Sequence, residues 1–310
     1  MHSLLPLASL LLASSATALK VPDNLKTFFK DLKTKGECSD KLAGGFYNSE
    51  FDNGNTAYCG DHLEDYGVVY LQANKGRLSN MDIDCDGEQG GSQDDGRCDV
   101  TTTTQERTSV KATIESYNAG ISDLNPHVHS YVVFGNDGFD DPYNFDPREW
   151  GVHQTSVMAV VCGDQMFYGI WGDVNGGDSP RPSVGEVSLS LATACYGKNM
   201  SSSDGDGTSH NAEDVLYLAF IGEDAVPGAN GADWDAENFT DFHSSISSLG
   251  NKLVKRIGNP DTAEAIKPVL DVSKETCSWL QHCKGASCES ANDCADSLTC
   301  TNGKCAERTS

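Results

Sequence analysis

Short runs rich in Val, Ile, Tyr and Phe, cut apart by clusters of Gly, Asn, Asp and Pro, dominate the middle of this chain. Residues 67–71, 131–134, 156–162, 166–171, 186–191 and 215–221 each read as a strand on that pattern. Helical spacing appears only at the two ends of this region. Residues 20–35 form a short amphipathic segment, and Phe239, Phe242, Ile246, Leu249, Leu253 and Ile257 recur three and four residues apart. Gly258-Asn259-Pro260 stops that second helix. The pattern predicts a mainly β (α+β) body, barrel-like, with peripheral helices.

The ends carry separate instructions. Residues 4–13 are an apolar run too short to cross a bilayer, and Ala16-Thr17-Ala18 is a small-x-small cleavage site. Residues 1–18 therefore read as a signal peptide, and the protein is expected to be secreted and extracellular. No later stretch reaches the ~20 apolar residues of a membrane helix. Twelve cysteines in a secreted chain imply disulfides. Six are dispersed: Cys38, Cys59, Cys85, Cys98, Cys162 and Cys195. The other six, Cys277, Cys283, Cys288, Cys294, Cys300 and Cys305, crowd the last 34 residues. So small a segment cannot bury enough apolar surface to fold unaided, so disulfides are expected to hold it. It lacks the C-x2-C pairs of a zinc site, and the spacing alone does not choose a pairing. The domains are thus read as 19–258 for the body, 259–276 for a linker and 277–310 for a cysteine-rich module. Asn199 and Asn238 head glycosylation sequons.

The formal charge is −24, and the terminal module contributes only −1 of it. Such a body repels nucleic acid and anionic membranes and attracts polycations. Neither partner class is expected, no cofactor motif is present, and a monomer is the expected state. No G-x-S-x-G elbow and no phosphate-binding glycine loop occurs in the right context.

Chemistry is left to carboxylates. Asp173 follows an apolar aromatic run and opens a glycine-rich stretch, where amides and water are expected to keep it ionised. Glu186 opens the run at 186–191 among Val184, Val187 and Leu189, where desolvation is expected to raise its pKa. Two carboxyl groups in contrasting settings suit acid-catalysed sugar hydrolysis. Asp82, Asp84 and Asp86 alternate, so on a strand they share a face and can bind ammonium groups. With Gly87 they also match the start of a calcium loop, but its twelfth position is Gln93 rather than a bidentate Glu, so no metal is assigned. His127 and His129 sit on one strand face without a third ligand nearby, as ordinary histidines do. Trp171, Tyr168, Phe145 and Tyr143 are aromatic candidates for stacking on sugar. Trp171 and Asn175, beside Asp173, join the three aspartates as candidate substrate contacts.

The segments MDIDCDG (81–87), YVVFGN (131–136), SVMAVVC (156–162), YGIWGDVNGG (168–177), GEVSLSLA (185–192) and DVLYLAFIG (214–222) resemble, in that order, the fungal chitosanases of glycoside hydrolase family 75. AVPG (225–228) and SSISSLGNKLV (244–254) fit as well, and the resemblance runs from Val21 to Ile257. It implies endo-hydrolysis of β-1,4-linked glucosamine chains with inversion. It places the family's essential Asp of WGD on Asp173 and Glu of GE on Glu186. On this reading Glu186 is the general acid and Asp173 the general base, about 6.5–9.5 Å apart with water between them. Chitosan is then the partner that the acidic body attracts. One departure is Val187, which stands where the family is expected to carry a small residue, usually Ala. By analogy at fold level, the strand–GD–glycine–strand pattern is similar to double-psi β-barrels and expansin-like proteins. A non-catalytic wall-binding protein or a calcium-binding secreted protein is the competing class. The terminal module lies outside the resemblance, and Trp279, Leu280 and His282 are its candidate sugar-binding face.

Overall fold

The computed structural model describes residues 18–48, 53–98, 104–139, 142–176, 181–202, 208–259 and 298–307. The elements run β1 (Leu19–Lys20), α1 (Asp23–Lys35), β2 (Lys41–Phe46), β3 (Thr56–Cys59), α2 (Leu63–Tyr66), β4 (Val68–Ala73), β5 (Ser79–Asp84) and α3 (Lys111–Tyr117). They continue with β6 (Tyr131–Asn136), β7 (Val157–Cys162), β8 (Gln165–Asn175), β9 (Glu186–Ser188), α4 (Leu189–Tyr196), β10 (His210–Phe220) and α5 (Phe239–Val254). A terminal hairpin, β11 (Leu298–Thr301) and β12 (Lys304–Glu307), pairs only with itself.

The other ten strands join one mixed sheet. Its order is β1-β8-β6-β9-β5-β10-β4-β3-β2, and β7 bridges β10 and β8. Six of these pairings therefore run in a circuit, from β5 through β9, β6, β8, β7 and β10 back to β5. Two pairs in the circuit are parallel, β6 with β8 and β5 with β9. The long crossovers that parallel strands require are what bring residues distant in sequence side by side.

Both faces of the sheet are buried, which is why its central strands read as unbroken apolar runs. In β7, Val157, Ala159 and Val161 join one core cluster with Leu25, Phe28, Phe242 and Ile246 of α1 and α5. Met158, Val160 and Cys162 join the opposite cluster with Phe46, Tyr58, Trp171 and Leu191. Disulfides link Cys38–Cys59, Cys85–Cys98 and Cys162–Cys195, and Cys300 and Cys305 are oxidised as well. No helix of the described residues is long and apolar enough to cross a membrane.

One sequence expectation is corrected here. The run at 186–191 is a strand only to Ser188, where a helix begins. The Ser188 side chain accepts from the Leu191 amide and so caps α4. An alternating Val-Ser-Leu-Ser-Leu pattern fits a strand, but the cap and the alanines at 192 and 194 favour a helix. The signal to residue 17, most of the linker at 259–276, and Cys277, Cys283, Cys288, Cys294, Trp279, Leu280 and His282 lie outside the described residues.

Candidate active site

Strand register assembles the site. In the parallel β5–β9 pair, Asp82 lies opposite Glu186 and Asp84 opposite Ser188. On the far side of β9 stands β6, with Val132 opposite Val187 in an antiparallel bridge. One step along that ladder sets Val133 beside Glu186. Val133 is also the register partner of Asp173 on β8. Asp173 and Glu186 thus flank Val133 from its two sides. A strand spacing of ~4.8 Å sets their backbones ~10 Å apart.

Asp173 sits near the end of β8, not in a loop, and is only 5% exposed. Its Oδ1 accepts from the amides of Ser109 (2.9 Å) and Val174 (2.8 Å). The amides expected from the sequence are present, but the side chain is buried rather than solvated: burial, then the charge of Asp84, raises its pKa well above the usual range. Two neighbours explain the WGD motif. A Cβ on Gly172 would meet Tyr131 Cβ at 2.4 Å, so only glycine lets β8 pass β6 there. Trp171 is 2% exposed and donates its indole N–H to the Asp173 carbonyl at 3.0 Å. It braces Asp173 from inside the core and has no face free for a sugar ring, contrary to the stacking role expected for it.

Glu186 follows a glycine for a similar reason. Gly185 has φ +96°. Its carbonyl accepts from the Asp82 amide (2.9 Å) and from the Tyr217 hydroxyl (3.2 Å). Burial, then the charges of Asp84, Asp82 and Asp173, raises the Glu186 carboxyl well above its usual pKa. A hydrogen bond from the Asn175 amide opposes them. Asn175 also donates to the Ser183 carbonyl at 2.9 Å, so it pins the start of β9 as well as touching Glu186. Val187 points the other way, fully buried with Val132 in the opposite cluster, and does not crowd Glu186.

Asp84 ends β5, and Asp86 lies in the turn beyond Cys85, so only Asp82 and Asp84 share the strand face expected of all three. One oxygen from each of Asp84, Asp86 and Asp173 lies within 4.8 Å of the others. Burial raises the pKa of Asp84, and burial with the charges of Asp84 and Asp173 raises that of Asp86. Asp82 stands slightly apart and accepts from the Asn80 amide at 2.6 Å.

The histidines take no part. They lie in a turn before β6 rather than on a strand. His129 is buried, accepts from the Asn125 amide at Nδ1 (2.8 Å) and donates from Nε2 to the Trp234 carbonyl (2.8 Å). His127 faces Asp94 at 3.5 Å. Tyr168 and Phe145 are core residues, Phe145 stacked on Tyr58 at 3.9 Å, and Tyr143 packs on Phe46. Sequence reading missed Ser109 and the fully buried Asp123, because neither stands in a motif and their roles come from loop backbone contacts.

A buried and a half-buried carboxyl across one strand, among further carboxylates, make an arrangement that acid/base glycoside hydrolysis can use. Comparison with known proteins narrows the class. Residues 81–256 match the family described as fungal chitosanase of glycosyl hydrolase group 75. An endo-chitosanase of Aspergillus oryzae is 42% identical over 253 residues, 80% of this chain and 96% of its own length. One from Aspergillus fumigatus is 42% identical over 245 residues, 78% and 94% of the two chains. The chain belongs to the group 75 fungal chitosanases.

Proposed function

We propose that this protein is a secreted, monomeric endo-chitosanase that cleaves β-1,4 linkages between glucosamine units with inversion. The observation that carries the reading is the flanking of Val133 by Asp173 and Glu186. Backbones ~10 Å apart are compatible with the ~6.5–9.5 Å carboxyl separation that inversion uses. The division of labour follows from hydrogen bonding. Two backbone amides on Asp173 favour its charged form, which suits the base. Glu186 receives no backbone donor among the causes of its shift and faces three carboxylates, which favours the protonated acid. Glu186 then protonates the glycosidic oxygen while Asp173 takes a proton from the attacking water. Asp82, Asp84 and Asp86 bind the ammonium groups of chitosan, and a body charge near −23 draws the polycation in. The chemistry uses protein groups alone.

The circuit of six pairings and its two parallel pairs support a closed barrel of the double-psi kind. The matched span at 81–256 supports the body at 19–258, with the linker and the module at 277–310 outside it. The disulfides and the N-terminal signal support secretion.

The test is the release of reducing ends from soluble chitosan by Glu186→Gln and Asp173→Asn variants. Each is expected to lose at least ~100-fold in kcat. Proton NMR of the first products is expected to show the α-anomer. Near-full activity in both variants overturns the site, and a β-anomer overturns inversion.

A further inference from the structure

A single short segment holds two of the site carboxylates. The Gln105 amide donates to Asp86 Oδ1 at 2.6 Å, and four residues on the Ser109 amide donates to Asp173 Oδ1 at 2.9 Å. The Gln105 carbonyl accepts from the Gly87 amide at 3.0 Å, closing the segment onto the aspartate turn. These contacts need the segment fixed. A buried carboxylate fixes it: Asp123 has 0% exposure and accepts three hydrogen bonds. Its Oδ2 takes the Thr108 amide (2.8 Å), and its Oδ1 takes the Thr108 hydroxyl (2.6 Å) and the Leu124 amide (2.8 Å). The Leu124 carbonyl in turn accepts from the Glu88 amide at 2.7 Å, so the same residue ties down the other side of the aspartate turn.

We propose that Asp123 is a positioning residue: it pins residues 105–109 so that their backbone amides stay on Asp86 and Asp173. An ionised carboxyl is burdensome in a dry interior and persists where its oxygens are fully used. Here two donors are backbone amides served by different oxygens. An asparagine cannot serve both, because in either orientation its NH2 group faces one of those amides. Losing the pin frees the Ser109 amide from Asp173, and Asp173 loses one of the two backbone amides that, with the Ser109 side chain, favour its charged form. Of the other groups facing Asp173, Asp84 and Glu186 keep their contacts, Asp86 loses the Gln105 amide with the same segment, and Tyr131 loses the nearby charge of Asp123 in Asp123→Asn but keeps it in Thr108→Val.

The link to turnover rests on Asp173 being the base. The experiment compares full-length Asp123→Asn and Thr108→Val with the parent protein. Thr108→Val removes only the hydroxyl bond and keeps both amides, so it covers the case in which Asp123→Asn does not fold. The first readout is the pH profile of kcat/KM on soluble chitosan. The acidic limb, set by the base, is expected to move up by about 0.5–1 unit in Asp123→Asn, the worth of one hydrogen bond, and by less in Thr108→Val. The basic limb is expected to stay in place. The second readout is the carbon-13 NMR titration of the Asp173 carboxyl, assigned with Asp173→Asn, which is expected to move in step. An unmoved Asp173 titration in the folded variants overturns the proposal. Asp173→Asn retaining activity overturns the base assignment instead, and the NMR titration still decides the role of Asp123.

Discussion

Gly185→Ala tests whether the backbone ahead of Glu186 is as constrained as the register implies. Gly185 has φ +96°, a region an alanine enters at a cost of ~1–2 kcal/mol. The new Cβ would stand 2.3 Å from Asn80 Oδ1 and 2.6 Å from Ser79 Oγ, far inside contact. Neither atom can swing away freely. Both residues are 0% exposed, Asn80 donates to Asp82 at 2.6 Å, and Ser79 donates to Asn48 at 2.6 Å. Relieving the clash breaks one of these bonds or shifts the strand, a further ~1–3 kcal/mol of overpacking. Against this, alanine restricts the unfolded chain and returns ~0.4–1 kcal/mol. The strain and the clash win, and the net loss is about 1–4.6 kcal/mol. Urea unfolding followed by tryptophan fluorescence measures it as a lower midpoint at unchanged slope. Activity should fall too, because the shift moves Glu186. A loss under ~1 kcal/mol would refute the argument that this glycine is there for its conformation and its missing side chain.

Trp171→Phe keeps most of the core contact and deletes the indole donor to the Asp173 carbonyl, so kcat should drop several-fold while KM holds. A raised KM at constant kcat would restore the sugar-stacking role. Removing the Cys162–Cys195 disulfide, whose ends are separated by 33 positions in sequence, should cost ~3–4 kcal/mol in denaturant unfolding. Removing Cys85–Cys98, separated by 13, should cost ~1 kcal/mol less, and the reverse order would contradict loop-closure reasoning. Asp84, Asp86, Asp173 and Glu186 have folded pKa values above their unfolded ones. Their stabilisation is complete below pH ~4 and is lost as pH rises through the folded values. Asp84→Asn should therefore flatten the fall in Tm between pH 5 and 8 and raise Tm at neutral pH, while lowering activity. A Tm–pH curve parallel to the parent's would show that these carboxyls do not share one field.

The strands and α5 are legible in the sequence because burial on both faces writes continuous apolar runs, and a single apolar stripe writes a helix. The switch at Ser188 is not, since five residues of alternation satisfy strand and capped helix alike, and the cap hydrogen bond is decided by where Leu191 can pack. Asp173 and Glu186 are legible as a pair through motif and contrast of setting. Their relation across Val133 is not, for it depends on β6 lying between β8 and β9. That is a matter of sheet order, and no local pattern encodes it. Trp171 misleads for a related reason. An aromatic beside a catalytic carboxylate looks alike in sequence whether it faces the cleft or the core, and the bulge between Val132 and Val133 turns it inward.

The crowding of carboxylates serves three ends with one arrangement. Burial and mutual repulsion raise the Glu186 carboxyl above the range of an ordinary glutamate, which suits the acid role proposed for it. The same negative field is what a chain of ammonium groups seeks. Its cost falls on folding, since the unfolded chain releases those protons freely at neutral pH. The features that offset the cost are insensitive to pH. They are a sheet buried on both faces, disulfides at Cys85–Cys98 and Cys162–Cys195, and backbone amides aimed at Asp86 and Asp173. Bound cationic polymer neutralises the field, so substrate should steady the folded state most where the free protein is least stable. The strain that lowers stability and the force that captures substrate then have a single source, the charge of Asp84 and its neighbours.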